Sequence, residues 1–495
     1  MAVDPLRIRR PGDAPLRPGR DYVLYWMTAY RRVGFNFALE RAVDLALELG
    51  KPVLVLEALR CDYRWASDRF QRFVADGMKD SAEACRARGV AYHPYLERAS
   101  GASKTLLGDF ARRACAVVTD DYPSFFLPRM VAAAGRRLDV RLEVVDSNGL
   151  LPMRAAPRVF ARAVDFRRFL QKALAPHLGR GPRADPLARP GLVTGFDVPC
   201  ELRTRWPAAP EALLNGDRGF EDFEIDHTVP PIRERGGARA AAARWSEFLD
   251  RRLHRYGDTR NDPDDETSSG LSSYLHWGHI CAHQLFADLA HREGWRPELV
   301  GARSDGQRSG WWGMSSAVES FLDELVTWRE LGFNMAWQRD DYDRYASLPG
   351  WARATLEAHG PDPRPHLYDL DALRSARTHD EIWNATQRQL VRDGRIHSYL
   401  RMLWGKKILE WSPTPRDALD VMIELNDRYA VDGRDPNSYS GIFWVLGRYD
   451  RAWGPERPIF GKVRYMTSES TRKKLRLRKY LREHSGQSPL FAADE

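Results

Sequence analysis

The first part of the chain alternates short apolar runs with longer segments of helical spacing, and this alternation limits the folds open to it. The runs DYVLYWM (21–27) and PVLVLEAL (52–59) have the length of buried strands. The segment between them, 35–50, repeats its apolar residues at helical spacing and ends on Gly50, which predicts a helix C-cap. The order strand, helix, strand is typical of a parallel sheet.

Two further apolar runs, 115–121 and 140–148, follow helical stretches and extend the same pattern. We therefore predict an α/β domain over 21–175, with helices covering a parallel sheet. No G-x-G-x-x-G follows the first strand, so the dinucleotide fingerprint of dehydrogenases is missing.

The rest of the chain reads as a connector and a helical domain. Residues 176–240 are rich in Pro, Gly and charge and show little periodicity, which predicts an interdomain connector. Helical spacing dominates 241–484, which we predict to be all-helical. A flexible Arg/Pro-rich arm is expected over 1–20 and a tail over 485–495.

Composition excludes several classes of protein. No run approaches the roughly 20 apolar residues of a membrane helix, and the N-terminus lacks the apolar core of a signal peptide, so we expect a cytoplasmic protein without a membrane partner. The cysteines are scattered without a C-x-x-C pair, which argues against a disulfide framework and leaves no metal site signalled. They are Cys61, Cys85, Cys115, Cys200 and Cys281.

The net charge of +8 favours an anionic partner such as nucleic acid if the basic residues cluster on one face. The densest basic run is RKKLRLRKYLR, 472–482. A solvated helix face explains such a run equally well.

Tryptophan is concentrated in the helical part, where thirteen of the sixteen lie between 245 and 453. Trp404 and Trp411 are seven residues apart and share one helix face, and Trp383 lies on the preceding helical segment. Core packing explains buried indoles, and three neighbouring indoles could also carry an electron. Spacing alone leaves both interpretations open.

Two long blocks resemble the photolyase and cryptochrome family, most closely the class II cyclobutane pyrimidine dimer photolyases. They are WNATQRQLVRDGRIHSYLRMLWGKKILEW (383–411) and DPNSYSGIFWVLGRYDRAWGPERPIFGKVRYM (435–466). The resemblance implies a Rossmann-like α/β domain with a parallel sheet and an all-helical domain that binds FAD. It also implies repair of pyrimidine dimers in DNA, in which reduced flavin excited by blue light passes an electron to the dimer.

The stretch YGDTRNDPDDETSSGLSSYLHWG (256–278) resembles the family segment that holds the FAD phosphates. Free backbone N–H groups and a helix start suit a pyrophosphate, although a turn with a serine N-cap explains the same residues. The resemblance assigns FAD contacts to Tyr256, Arg260, Ser268, Ser269 and Ser272.

Further flavin contacts are implied for Asn426, Asp427 and Arg401. The family places an Asn like Asn426 against the flavin N5, with Asp427 beside it, and an amide can donate or accept there. Turn and helix-end roles for the first two, and a solvent-directed Arg401, are the structural alternatives.

The resemblance also implies a dimer site and an electron path. Glu324 and Trp328 are four residues apart on one helix face and match lesion-contacting residues. Met402, Trp444 and Arg464 match further contacts, with core packing as the alternative for the first two; a flipped dimer suits such apolar walls. Trp404, Trp383 and Trp411 match the family's photoreducing chain in that order from flavin to surface, and Trp411 is expected to reach solvent.

Several positions depart from the class II pattern. Gln284 replaces an arginine that the class II pattern places on the lesion side. Residues 28–37 lack the usual antenna pattern, so the sequence does not decide whether a deazaflavin or folate antenna binds. A photolyase acting on dimer-containing DNA, expected as a monomer, is the main prediction. A cryptochrome-like photoreceptor and a basic nucleic-acid-binding protein are the alternatives. The remaining departures are Trp277, His279 and Ser147.

Overall fold

The computed structural model describes residues 3–486, and its first part contains the predicted mostly parallel sheet. Within the described residues the sheet has six strands in the order β1-β6-β5-β2-β3-β4, and only the pair of β1 with β6 is antiparallel. The strands are β1 (Ile8–Arg9), β2 (Tyr22–Met27), β3 (Val53–Leu59), β4 (Ala91–Leu96), β5 (Ala114–Asp120) and β6 (Leu142–Val145).

Helices cover both faces of this sheet and make up the remainder of the chain. The α-helices of the α/β part are α1 (Phe37–Leu49), α2 (Asp68–Ala87), α3 (Leu106–Ala111), α4 (Leu127–Arg137) and α5 (Ala163–Ala173). Those that follow are α6 (Cys200–Arg205), α7 (Glu211–Asn215), α8 (Ala238–Arg251), α9 (Tyr256–Thr259), α10 (Ser272–His276), α11 (Ala282–Arg292), α12 (Ser316–Leu322), α13 (Arg329–Gln338), α14 (Gly350–Ala358), α15 (Leu370–Arg374), α16 (Glu381–Asp393), α17 (Ser398–Trp411), α18 (Pro415–Tyr429), α19 (Pro436–Val445), α20 (Ser468–Lys474) and α21 (Arg478–His484).

The predicted strands and the predicted first helix are confirmed. Helix α1 begins after Asn36, whose side chain accepts two backbone N–H groups, and ends at Gly50 with φ of 62°. The sequence pattern missed β4, which contains His93 and Pro94. A proline removes one ladder donor and is tolerated on an edge strand, which is the position that β4 occupies.

The N-terminal residues differ from the predicted flexible arm over 1–20. Ile8 and Arg9 pair with Val145 and Val144 at the edge of the sheet. Arg9 also forms two 2.8 Å hydrogen bonds to the carboxylate of Asp121, which fixes the strand end. Residues 8 and 9 of the predicted arm therefore form an edge strand, and the Arg9–Asp121 pair helps to hold it there.

The connector packs on the α/β domain and contains α6 and α7. Trp206, next to α6, is buried and donates from its indole N–H to Asp109 at 2.9 Å. Of the predicted tail, 487–495 lies outside the described residues. No helix within 3–486 is long and apolar enough to cross a membrane.

The helical domain docks against the carboxyl end of the sheet. Tyr122, just after β5, donates its hydroxyl proton to Asp435 at 2.6 Å, and Arg69 donates to the Tyr429 carbonyl at 2.6 Å. Gly278 has φ of 73°, and a Cβ there would lie 2.1 Å from the Ala29 carbonyl oxygen, so only glycine fits this contact. The interface fixes the helices that line the cavity described below.

Candidate functional site

One large cavity of about 820 Å³ opens in the helical domain, within the size range of ligand pockets. The segments that line it are far apart in sequence, from the start of α9 to α21. Most of the sequence-predicted site residues meet on its walls. These are Tyr256, Arg260, Ser268, Ser269, Ser272, Glu324, Trp328, Arg401, Met402 and Trp444.

Hydroxyl groups and arginines line one part of the cavity. Ser268, Ser269 and Ser272 line the same cavity as Arg260 and Arg308, so its wall carries several hydrogen-bond donors. The helix that starts at Ser272, α10, has only five residues. The predicted contribution of a helix dipole is therefore limited to one turn, and the serine and arginine side chains supply the donors.

Glu324 and Trp328 lie on a π-helical turn, Asp323–Trp328, between α12 and α13. Arg260 donates to the Glu324 carboxylate at 2.6 Å and lies over the Tyr256 ring. Burial raises the pKa of Glu324, against the opposing effect of Arg260, although the cavity leaves 39% of its side chain accessible. The turn therefore presents a carboxyl group and an indole to the same space.

Trp444 lies between two cations. The Lys406 Nζ is 5.4 Å from the Trp444 ring centre, and the Arg464 guanidinium is 5.1 Å from it. Arg464 does not line the cavity; it pairs with Asp450 at 2.9 Å and packs on Trp453. These contacts hold the indole that faces the cavity.

Lys406 is fully buried and donates to the Val445 carbonyl at 2.5 Å. Burial lowers its pKa to about 7, against the opposing effect of Asp450. Because the unfolded chain keeps this proton up to about pH 10.4, the group's contribution to stability is lowest below pH 7 and rises between pH 7 and that value.

We expect Lys406→Met to remove this increase in stability with pH. The difference in unfolding free energy between wild type and variant should change by up to about 1.4 kcal/mol per pH unit from pH 7 to 10. Urea unfolding of both proteins across that range measures it. Parallel pH curves for the two proteins would contradict the burial of a titrating ammonium group.

Asn426 and Asp427 lie behind the cavity wall and do not line it. Arg401, which does line it, donates to the Asn426 side-chain oxygen at 2.9 Å, and the Asn426 amide donates to Ser438 and Asp427. Arg401 also pairs with Asp432 at 3.4 Å, so its guanidinium turns inward rather than to solvent. Asn426 thus links Arg401 to Ser438, two residues of the wall.

The three tryptophans form a connected buried group. Trp383 donates from its indole N–H to the Trp404 carbonyl at 3.0 Å, and its ring lies 5.6 Å from that of Trp411. Trp404 is one helical turn from Arg401 on the cavity wall. Trp383 therefore contacts both of the others, the backbone carbonyl of Trp404 and the ring of Trp411, and the order of electron transfer from flavin to surface stays a prediction.

The prediction that Trp411 reaches solvent is wrong, because its exposed fraction is 1%. Its ring instead packs at 5.3 Å against both Tyr368 and His379. Tyr368 is half-buried and His379 exposed, so the group meets the surface through these two side chains.

Several cavity residues within the quoted 383–411 block were not predicted, among them Arg395 and His397. Arg395 pairs with Glu266 at 2.6 Å, and burial lowers the pKa of His397 to about 4, which leaves its ring neutral. The Arg395 Nε and the His397 Nδ1 are buried without a hydrogen-bond partner. The signal that could have found them is the polar turn DGRIH between two helices of helical spacing.

The departures from the class II pattern have structural explanations. Trp277 donates to the Val431 carbonyl at 3.0 Å, and His279 accepts the Gly237 N–H at 2.9 Å; both pack against α2 of the α/β domain. Ser147 accepts the Phe37 N–H at the start of α1. Gln284, on α11, does not line the cavity, so this substitution leaves the cavity wall unchanged.

Polar side chains lie near the point where the sheet order reverses, between β2 and β5, which is the usual ligand position in such sheets. Asp120 accepts the backbone N–H groups of residues 28–30 at 2.7–2.9 Å. Arg31 pairs with Glu57 at 2.9 Å, and Tyr92 donates to the same carboxylate. These polar groups therefore pair with one another within the protein.

The large cavity fits a flavin dinucleotide. It combines serine hydroxyls and arginines for a diphosphate with buried polar atoms that lack partners, Arg395 Nε and His397 Nδ1. Arg401 and Ser438 offer polar groups at a different part of the wall. Among the described residues no group of three His, Cys, Asp or Glu side chains could hold a metal ion.

An α/β domain joined to a helical domain with such a cavity is the architecture of photolyases and cryptochromes. A class III photolyase from Agrobacterium tumefaciens superposes with a TM-score of 0.68 at 16% identity, covering 94% of this chain and 86% of that one. A Synechocystis sp. PCC6803 cryptochrome superposes with a TM-score of 0.64 at 15% identity, covering 94% and 88%. These two likenesses concern the fold alone.

Sequence relatives are closer. A deoxyribodipyrimidine photo-lyase of Methanothermobacter thermautotrophicus is 36% identical, over 95% of this chain and 96% of its own length. One from Oryza sativa subsp. japonica is 33% identical, over 99% and 92%. No family model matches the chain. The chain belongs to the photolyase/cryptochrome family.

Proposed function

We propose that the protein repairs cyclobutane pyrimidine dimers in DNA by a light-driven, FAD-dependent reaction of the class II type. The observation that carries the proposal is the meeting of Glu324, Trp328, Met402 and Trp444 on the walls of the cavity that also holds the serines and arginines suited to FAD. The relatives that cover nearly the whole chain are photolyases by name, which supports the same activity.

The chain's own residues bind and orient the two partners. Ser268, Ser269 and Arg260 supply donors to a diphosphate, and Trp328 and Trp444 offer flat apolar surfaces to a dimer turned out of the duplex. Glu324 gives the dimer a carboxyl group for hydrogen bonding to its base edge. Bound FAD supplies the light-driven electron transfer, which no side chain can provide.

The test is repair of an oligonucleotide with one thymine dimer by chemically reduced, flavin-loaded protein. Under blue light the thymines should be restored, and a dark sample should keep its dimers. Intact dimers after illumination, with reduced flavin bound, would contradict the proposal.

A flavin photoreceptor without repair is the second candidate, and the buried group of Trp383, Trp404 and Trp411 favours it equally. Its main support in the sequence was Gln284, which lies away from the cavity wall. Light-driven reduction of the flavin without dimer repair would select this candidate. A colourless protein would instead favour the basic nucleic-acid-binding alternative.

DNA binding should depend steeply on salt concentration, because arginine side chains lie near Trp444, a proposed dimer contact. Arg451 is exposed and lies over Trp453, and Arg464 lies beside it. If about four phosphates are contacted, affinity should fall about 100-fold between 50 and 200 mM salt. Titrations of labelled dimer DNA at several salt concentrations measure the slope. A flat response would exclude a cationic DNA surface.

A further inference from the structure

The basic run 472–482 supplies none of the dimer contacts proposed above, and three of its residues, Arg476, Lys479 and Tyr480, contact an acidic loop at the cavity. The loop 262–266 carries four carboxylates in five residues and comes just before the cavity serines Ser268 and Ser269. Arg476 and the start of α21 lie against this loop. Pairing within the protein, rather than with DNA, is therefore the first explanation for these charges.

The loop and the C-terminal residues are joined by hydrogen bonds at both backbone and side chains. Asp264 accepts the backbone N–H groups of Lys479 at 3.1 Å and Tyr480 at 2.7 Å. Arg476 donates to Asp262 at 2.5 Å and lies 3.8 Å from Asp265. The start of α21 is thus held to the loop by three carboxylates.

The other side of the segment is held by α16. The Tyr480 hydroxyl, which is buried, donates to Gln389 at 2.9 Å. Arg388 donates to the carbonyl groups of His484 at 3.3 Å and Ser485 at 2.8 Å. Between these anchors Lys479, Tyr480, Glu483 and His484 line the cavity, so the segment forms part of its wall.

Charge explains why this pairing matters for an anionic ligand. Unpaired carboxylates of the 262–266 loop would repel a diphosphate bound at Ser268 and Ser269. Arg476 offsets Asp262, Arg255 pairs with Asp265, and Arg395 pairs with Glu266 at 2.6 Å. The C-terminal segment therefore both closes the loop and reduces its negative field.

We propose that residues 475–486, the C-terminal clasp, hold the 262–266 loop closed over the diphosphate of bound flavin dinucleotide and limit its release. The proposal rests on the flavin binding proposed above. It assigns residues 475–482 of the basic run to cofactor retention instead of DNA binding.

The test measures the rate of FAD release from the full-length protein, followed by the rise of free flavin fluorescence after dilution. Asp264→Ala should release FAD about tenfold faster, because it loses two hydrogen bonds to a charged acceptor. Arg476→Ala should have a smaller effect, about two- to threefold, because its guanidinium is largely exposed. Lys473→Ala is the matched control, since Lys473 pairs with Glu469 inside α20, and it should release FAD at the wild-type rate.

Wild-type release rates in both Asp264→Ala and Arg476→Ala would overturn the clasp. If Asp264→Ala fails to fold, Tyr480→Phe, which removes the single bond to Gln389, replaces it with the same expected direction. Weaker DNA binding by Arg476→Ala with unchanged FAD release would also overturn the clasp. If the wild-type protein binds FAD but does not repair dimers, only the proposed repair function is contradicted. If it binds no FAD, both proposals are contradicted.

Discussion

Replacing Glu324 by alanine is expected to lower dimer affinity and light-driven repair by about 10- to 100-fold while flavin stays bound. The carboxyl group lines the cavity beside Trp328 and is held by Arg260 at 2.6 Å. Its removal takes away a hydrogen-bonding group and leaves the Arg260 guanidinium without this partner. Hydrogen bonds that involve charged groups contribute about 1.5–3 kcal/mol, which gives the expected range.

Glu324→Gln is the matched control, because it keeps the size and one acceptor oxygen, while it removes the charge and replaces the second oxygen by a donor NH2 group. It should retain more repair than Glu324→Ala. Bound flavin per protein is measured in both variants, since Arg260 is also a predicted flavin contact. Unchanged repair in Glu324→Ala and in Trp444→Ala would show that the dimer does not bind at this wall.

Replacing Trp404 by phenylalanine is expected to reduce light-driven reduction of oxidised flavin to background. Trp404 is the member of the buried group that lies one helical turn from Arg401 on the cavity wall, and Trp383 connects it to Trp411. Phenylalanine keeps an aromatic ring but is far harder to oxidise than an indole. Flavin absorption during illumination with an external reductant gives the rate.

Repair by chemically reduced Trp404→Phe should persist, because that assay does not need the tryptophan path. Trp295→Phe is the matched control: it also removes a buried indole, but one that packs on Phe286 and donates to the Trp312 carbonyl. It should photoreduce at the wild-type rate. Normal photoreduction in Trp404→Phe would remove the electron-transfer role and leave core packing as the explanation.

The regular parts of the fold follow from local patterns. The strands β2, β3, β5 and β6 are buried apolar runs, and Asn36 and Gly50 mark the ends of α1 by side-chain capping and a left-handed backbone. Such signals lie within a few residues of the elements they define. The predicted sheet and helical region could therefore be obtained from the sequence.

The failures concern residues whose environment is set by distant parts of the chain. Ile8 and Arg9 form a strand whose position is fixed by the hydrogen bond from Arg9 to the Asp121 carboxylate, and no residue near position 9 in the sequence predicts that contact. Trp411 sits among charges in sequence, yet Tyr368 and His379 cover it. The basic run resembles a nucleic-acid-binding segment until the 262–266 loop is placed beside it.

The candidate site shows the same division. Spacing places Glu324 and Trp328 on one helix face, and both line the cavity, although the turn that carries them is π-helical. The family resemblance, rather than spacing, joins them to Met402 and Trp444 on other helices. Asn426 lies one layer behind the wall because Arg401 and Ser438 occupy the position in front of it.

The central claim is that flavin and dimer share one cavity, and the fluorescence lifetime of bound reduced flavin tests it most directly. The lifetime is compared with dimer-containing DNA and with the same DNA without the dimer. The claim predicts that only the dimer-containing DNA shortens the flavin lifetime, and that this effect is lost in Trp444→Ala. Equal lifetimes with the two DNAs at saturating concentration would contradict it.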